Sequence, residues 1–444
     1  MINIATPNPL RRFFTLWVVM ALAGLLSACA STLPTTPSGP STSGQGVARS
    51  NNAIANEFLS LVFETENGTR IPRLLRYEGA IRVNLDPDLQ AYRRDLENVL
   101  QKIRSQSEID IALGNGASVN IYVERVSAAA LRRSYPTAAC VVVPGVSSFS
   151  QFLRGDFPRW SRQTRLQKAA VFIPDNAPPY IVRACLNEEI AQALGPVNDL
   201  YLVADTVFND DNVFNSLTDY DLLILRVLYH PQLSTGMSRT QAAPLVARIL
   251  RGINPAGQIA GPLGQSNLSW KRQIETAMNS RNPRAARLRS AENAVQISRR
   301  LGDHRLAHSL LIYGRLNLQN RPDLAAPAFR EAYSLSQRLL GPDNLRTALA
   351  GMHMAAVALS AERFGDVITL STPALATAQR YDDPVLAAGL LGLRALAFAQ
   401  LEQNSKAQAA RLASAEQARY AFGNNATQIA AAQAQIDGLL PANN

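Results

Sequence analysis

The chain has 444 residues, of which 47% are hydrophobic, and its net charge at pH 7 is +10. This length leaves room for two domains of ordinary size. The basic surplus would suit nucleic acid, but no aromatic-rich base-stacking motif accompanies it, so we do not expect a nucleic-acid-binding protein.

The N-terminus has the pattern of an export signal. Arg11 and Arg12 precede an apolar run over residues 13–26 that is too short to span a membrane independently. The run ends in Leu26-Ser27-Ala28-Cys29, which resembles a bacterial lipobox. It predicts a signal peptide over residues 1–28 and a lipid anchor on Cys29, with several acyl chains giving stable attachment.

The residues after the anchor predict where it goes and how it is connected. Ala30 replaces the aspartate that would follow a retained anchor, so resemblance to sorted lipoproteins implies the outer membrane, facing the periplasm. Residues 29–52 include a segment rich in Ser, Thr, Pro and Gly, which is typical of a flexible tether.

Strand and helix patterns alternate over residues 53–261, the first predicted domain. Apolar residues at helical spacing predict a helix over 88–105, and period-two alternation predicts a strand over 118–126. Residues 73–85 and 168–173 read as extended segments. Pro178 and Pro179 mark the entrance of a further helix, where a missing backbone N–H costs little.

That further helix carries the most informative motif. Residues 185–199 follow the spacing H-E-x-x-H-x-x-G-x-x-H of a zinc-protease site, with Glu188, Gln192 and Asn198 at the three histidine positions. Glu189 stands at the general-base position and is the candidate catalytic residue. Gly195 would let the chain leave the helix in a left-handed conformation.

The side chains at the ligand positions leave two hypotheses open. Glutamine and asparagine are weak zinc ligands, and oxygen-only sites prefer calcium or magnesium, so we predict no metal and no cofactor. The alternative is a metallohydrolase or peptidase in which Glu188, Asp199 and Asp205 hold an ion while Glu189 acts as the base.

The sequence beyond the motif carries a resemblance. Thr218 and Asp221 predict a capping box for a helix with Leu222, Leu225 and Leu228 on one face. Together with the segments Arg183–Glu189, Tyr229-His230-Pro231 and Gly236-Met237, this pattern is similar to a family of uncharacterised proteobacterial lipoproteins with a degenerate zincin-like (metzincin-like) domain. The resemblance implies an α+β zincin-like fold and no known activity.

Two cysteines remain after Cys29. An exported protein meets an oxidising compartment, so Cys140 and Cys185 are candidates for a disulfide, and two buried free thiols are the alternative. No histidine is near either cysteine in sequence, which disfavours a nucleophilic role.

Residues 262–444, the second predicted domain, are alanine-rich and helical. Turn residues recur at Gly302, Gly341, Asp382 and Gly423, spaced by 39, 41 and 41 residues. This period resembles the longer tetratricopeptide repeats and predicts an all-α solenoid of about four helix pairs. An irregular helical bundle is the alternative.

Charge also separates the two parts. Residues 265–444 hold 20 basic and 13 acidic side chains, and the densest stretch is 271–305. This face suits an acidic partner or an anionic surface, or is only solvated. The function predicted is therefore a protein-binding or scaffold lipoprotein of the cell envelope, whose helical repeats bind an envelope protein or peptide.

Overall fold

A computed structural model gives the fold of residues 47, 49–155, 159–201, 203–209, 211, 213–261, 267–424, 426–427 and 429–430. The predicted signal peptide, Cys29 and nearly all of the tether lie outside these residues. All described residues belong to one compact unit, Thr42–Asn444. None of the described helices is long and apolar enough to cross a membrane.

The first part of the chain is a mixed α/β domain around a five-stranded sheet. Its strands are β1 (Ile81–Leu85), β2 (Ile111–Leu113), β3 (Ile121–Val126), β4 (Val141–Pro144) and β5 (Ala169–Pro174). Their order across the sheet is β2-β1-β3-β5-β4. Only β4 is antiparallel to its neighbour, with Val142 opposite Val171. Strand β5 is buried along almost its whole length, as expected of a strand covered on both faces.

Seven α-helices accompany this sheet among the described residues. They are α1 (Asn51–Phe63), α2 (Arg93–Ser107), α3 (Ala128–Ser134), α4 (Phe149–Arg154), α5 (Pro179–Ala193), α6 (Asp219–Leu228) and α7 (Arg239–Ile253). The helix predicted over 88–105 begins as a 3-10 turn, Pro87–Tyr92, before α2. In the extended segment predicted over 73–85, only β1 joins the sheet, because Leu74 donates to the Met237 carbonyl oxygen instead.

The rest of the described chain is a run of consecutive helices. Eight follow one another within residues 267–424: α8 (Leu268–Met278), α9 (Arg284–Leu301), α10 (Arg305–Asn317), α11 (Pro322–Leu340), α12 (Leu345–Ser360), α13 (Phe364–Arg380), α14 (Pro384–Gln400) and α15 (Asn404–Phe422). The four predicted turn residues all adopt positive φ, including Asp382 at 51°. Each helix ends there because the left-handed conformation breaks the helical hydrogen bonding.

One hydrophobic cluster joins the two parts of the chain. It contains residues of the sheet and of α5 and α6 together with residues such as Leu345, Met352 and Leu390 from the helical array. The predicted boundary between residues 261 and 262 borders a segment, 262–266, outside the described residues. The α/β domain and the helical array thus share one hydrophobic core.

Candidate functional site

The motif helix α5 ends at Ala193, and the chain turns at Gly195, two residues further on. This glycine has a φ of +134°, and a Cβ there would lie 2.5 Å from the Leu75 carbonyl oxygen and 2.9 Å from Leu228 Cδ2. Both the backbone conformation and the close approach therefore require glycine. The turn directs the following residues back along the helix.

The side chains at the second and third ligand positions, Gln192 and Asn198, form hydrogen bonds with other protein groups. Gln192 Nε2 donates to Asp199 Oδ1 at 3.3 Å. Asn198 Nδ2 donates to the Ser60 carbonyl oxygen at 3.1 Å, and its Oδ1 accepts from the Asp199 amide at 2.9 Å. Gln192 and Asn198 are both buried. Both amides thus serve the packing of the turn after α5.

The carboxylates of the motif do not assemble with Asp205. Glu188 is half-buried and Glu189 is 5% exposed. Burial, and secondarily the nearby Glu189 charge, raises the pKa of the Tyr135 phenol. Asp205 pairs with Arg49, at 2.5 Å between Oδ1 and the guanidinium. The residues of this region do not fit a zinc ion, because two amides engaged in hydrogen bonds replace imidazole ligands.

Metal ligands do not cluster elsewhere in the described structure either. Among the described residues, no group of three or more His, Cys, Asp or Glu side chains has an arrangement that would hold a metal ion.

A buried carboxylate fixes the loop after the motif. Asp221 is fully buried and accepts from the Thr206 hydroxyl, from the Val207 amide at 3.2 Å and from the Thr218 amide at 2.8 Å. Thr218 caps α6 in return, so the predicted capping box is present. Burial raises the pKa of Asp221 to about 6. This network joins Thr206 and Val207 to the start of α6.

A disulfide ties the motif helix to the sheet. Cys140, just before β4, is bonded to Cys185 in the middle of α5, with 6.0 Å between their Cα atoms. The helix is therefore held covalently at the edge of the sheet formed by β4.

The helical array covers the loop that follows the motif. Arg346 of α12 forms an ion pair with Asp211 at 2.6 Å and donates to the Ala204 carbonyl oxygen at 2.6 Å. The two charged side chains are 8% and 3% exposed. Further along, the Ser216 hydroxyl donates to the Tyr381 carbonyl oxygen at 2.9 Å. The inner side of the array is thus occupied in part by the chain's own α/β domain.

Helix α15 also contacts the motif helix. The Arg183 guanidinium lies 3.8 Å from the centre of the Tyr420 ring and donates to the Tyr420 carbonyl oxygen at 2.5 Å. Tyr180 packs edge-on against Phe422. The end of the array formed by α15 therefore packs against the motif helix.

A cavity of about 940 Å³ remains between the array and the α/β domain. It is lined mainly by apolar side chains, and three histidines, His304, His308 and His353, also line it. Each histidine has one buried ring nitrogen without a hydrogen-bond partner among the described residues. Burial lowers their pKa values to about 3, about 4 and about 3, so all three are neutral at pH 7.

The sequence did not lead to this cavity. Its walls come from several helices whose mutual orientation no local pattern encodes. The one available signal was the pair His304 and His308, whose spacing of four places both on one face of a helix.

The fold and these contacts define a mixed α/β domain with a five-stranded sheet, followed by a helical region. Residues 51–248 match the model of the family described as "Protein of unknown function (DUF2927)". The chain thus carries a DUF2927 domain followed by consecutive helices. No curated protein matches the chain.

Proposed function

We propose that the chain is a lipid-anchored scaffold or binding protein of the cell envelope, built from a zincin-like domain without a zinc site and a tetratricopeptide-like helical array. Its anchor would be Cys29, at the outer membrane and facing the periplasm. The proposed loss of catalysis is supported by one observation. At two of the three ligand positions, Gln192 and Asn198 form hydrogen bonds to protein groups.

The zincin-like assignment is supported by the order of elements. Strand, helix and strands precede the motif helix α5, which follows β5 directly. Gly195 then turns the chain, and the capped helix α6 follows. The metallohydrolase alternative places Glu188 and Asp199, with or without Asp205, around one ion, and the Arg49 ion pair of Asp205 does not favour Asp205 as a ligand.

Rebuilding the zinc site tests the zincin-like frame. We expect the full chain with Glu188→His, Gln192→His and Asn198→His to bind one zinc ion per chain, because the spacing places the first two imidazoles one helical turn apart. The unchanged chain and its Glu188→Ala variant are expected to bind none by elemental analysis. The double variant Glu188→His/Gln192→His, confined to α5, serves if the triple variant does not fold.

Two results would contradict this proposal. A rebuilt chain that melts like the unchanged one but binds no zinc would speak against the zincin-like frame. Stoichiometric zinc in the unchanged chain, lost in Glu188→Ala, would favour the metallohydrolase instead.

The surface proposed for an acidic partner is the basic stretch over residues 271–305. Arg272, Arg289 and Arg300 are exposed there and take part in no ion pair within the described structure. Reversing all three to glutamate is expected to abolish capture of the partner from envelope extracts, since complementary charge sets association. Deleting the helical region is a poor test, because it would expose the shared core.

A matched control separates this surface from net charge. Arg330, Arg338 and Arg411 are equally exposed on other helices. Reversing them changes the net charge by the same amount and is expected to leave the captured proteins unchanged. Equal loss in both triple variants would contradict a defined binding surface.

A further inference from the structure

The cavity between the array and the α/β domain has a cationic mouth. Arg284, Arg287 and Arg315, from α9 and α10, line it. Arg284 donates to the Leu316 carbonyl oxygen at 2.7 Å and Arg287 to the Ala277 carbonyl oxygen at 2.9 Å. None of the three forms an ion pair within the described part of the chain.

Arg315 is the most informative of the three. In the described structure its guanidinium makes no hydrogen bond to the protein, although most arginines in this region do. The side chain reaches solvent at the mouth and is nonetheless ringed by protein, so burial, and secondarily Arg287, lowers its pKa. A guanidinium at the entrance of a cavity, without a carboxylate partner, is available to pair with an anion.

The inner wall has the opposite character. Leu345, Leu349, Met352, Leu386 and Phe422 contribute apolar surface. His353 is 2% exposed, stacks on Phe329 at 4.7 Å between ring centres, and has an unpartnered Nδ1. A molecule that fills this cavity would therefore meet apolar surface inside and guanidinium groups at the entrance.

Two carboxylates also line the cavity, and neither offsets the arginines. Asp211 is paired with Arg346. Asp383 caps α14 by accepting from the Leu386 amide at 2.9 Å, and burial raises its pKa to about 6. The mouth keeps an excess of positive charge.

We propose that this cavity binds one amphiphilic anion, a molecule with a single phosphate or carboxylate group held by Arg284, Arg287 and Arg315 and an apolar chain against the inner wall. Guanidinium groups bind both anionic groups through paired N–H donors. The volume lies near the upper end of ligand pockets, roughly 300–1,000 Å³, which suits an extended chain. This site does not depend on the proposed location or on the proposed loss of catalysis.

Calorimetric titration of the full chain tests the proposal with four probes: octyl phosphate, octanoate, octanol and inorganic phosphate. Each is kept below its micelle-forming concentration, and a blank without protein is subtracted. We expect octyl phosphate or octanoate to bind at one per chain. Octanol and inorganic phosphate should each bind about tenfold more weakly or worse, since each lacks one half of the ligand.

Substitutions at the cavity mouth provide a second test of the proposal. Arg315→Ala should weaken binding of the anionic probe about tenfold, and Arg315→Lys should retain part of it. Arg330→Ala, at an exposed arginine on α11, is the matched control and should change nothing. Without ligand, Arg315→Ala should melt no lower than the unchanged chain, because its guanidinium has no protein partner to leave unpaired.

The outcomes divide clearly. Tighter binding of octyl phosphate than of octanoate assigns the anion as a phosphate, and the reverse assigns a carboxylate. Four results would each overturn the proposal. The first two are that octanol or inorganic phosphate binds as tightly as octyl phosphate. The others are that Arg315→Ala leaves binding of the anionic probe unchanged, or that neither anion gives heat above the blank.

Discussion

The end of the motif helix and the cavity under the helical array differ in how their polar side chains are satisfied. Gln192, Asn198 and Asp199 bond to one another and to the backbone. At the cavity, His304, His308 and His353 each have a buried ring nitrogen without a hydrogen-bond partner among the described residues. The amides at two ligand positions of the motif are engaged in hydrogen bonds, whereas the three buried histidine nitrogens without a partner lie in a place that no motif marks.

The largest expected effect concerns the covalent link of the motif helix. Reducing the disulfide between Cys140 and Cys185, which are 45 residues apart, should lower the free energy of unfolding by about 4 kcal/mol through loop-closure entropy. Urea unfolding with and without a phosphine reductant measures this. The Cys140→Ala/Cys185→Ala chain, which has no disulfide, should be insensitive to the reductant.

The next effect concerns the contact between the array and the α/β domain. Arg346→Ala leaves the buried Asp211 carboxylate without its cation and should cost about 3 kcal/mol. This is the lower end of the expected range, because Asp211 keeps the Val213 amide as a donor. Replacing both partners, Arg346→Met with Asp211→Asn, should cost less.

Unfolding of the Arg346→Ala chain also tests whether the two parts form one unit. A single cooperative transition, shifted to lower urea, is expected because the hydrophobic cluster still joins them. Two separate transitions would show that the array and the α/β domain fold independently, and the cavity between them would then not be a fixed site.

A smaller effect is expected at the loop after the motif. Thr218→Ala should cost about 2 kcal/mol, near the upper end for an N-cap, because the Asp205 carbonyl oxygen also loses its donor. The matched control is Ser238→Ala, which removes an exposed capping box from α7 and should cost about 0.5–1 kcal/mol. Equal costs would mean that burial of the Asp221 network adds nothing.

Local signals account for most of what the sequence predicted. Gly302, Gly341, Asp382 and Gly423 were recognisable as helix ends because each is suited to positive φ. The capping box of α6 depends only on Thr218 and Asp221 three residues apart. Such features require no knowledge of distant parts of the chain.

What the sequence did not predict depends on distant contacts. No sequence pattern marks Asp211, whereas Arg346, 135 residues further on, pairs with it in the interior. Likewise, Arg315 reads as an ordinary polar position in α10, and only the packing of α9 to α14 gives it a cavity. The sequence alone does not distinguish an arginine that lines a cavity from an arginine on a solvated helix face.

The smallest expected effect is a dependence of stability on pH that originates at the cavity. Burial is the main cause of the lowered pKa of His304, His308 and His353; Arg346, Arg49, Arg305 and Arg315 lower these values further, while Asp303 and Asp211 oppose the shift. The unfolded chain therefore takes up protons below about pH 6.5 that the folded chain does not, and stability falls with falling pH. Asp221 and Asp383 act in the opposite direction, because their raised pKa values let the folded chain take up protons first.

From pH 7 to pH 6 the three histidines should lower the free energy of unfolding by roughly 2 kcal/mol. The two carboxyls should restore less than half of this, leaving a loss of about 1 kcal/mol. Urea unfolding at the two pH values measures this loss, and the His353→Gln chain should lose about 0.7 kcal/mol less than the unchanged chain. If His353→Gln loses as much as the unchanged chain, His353 is not held neutral, and the contrast between the hydrogen-bonded turn after α5 and the cavity fails at the most buried histidine.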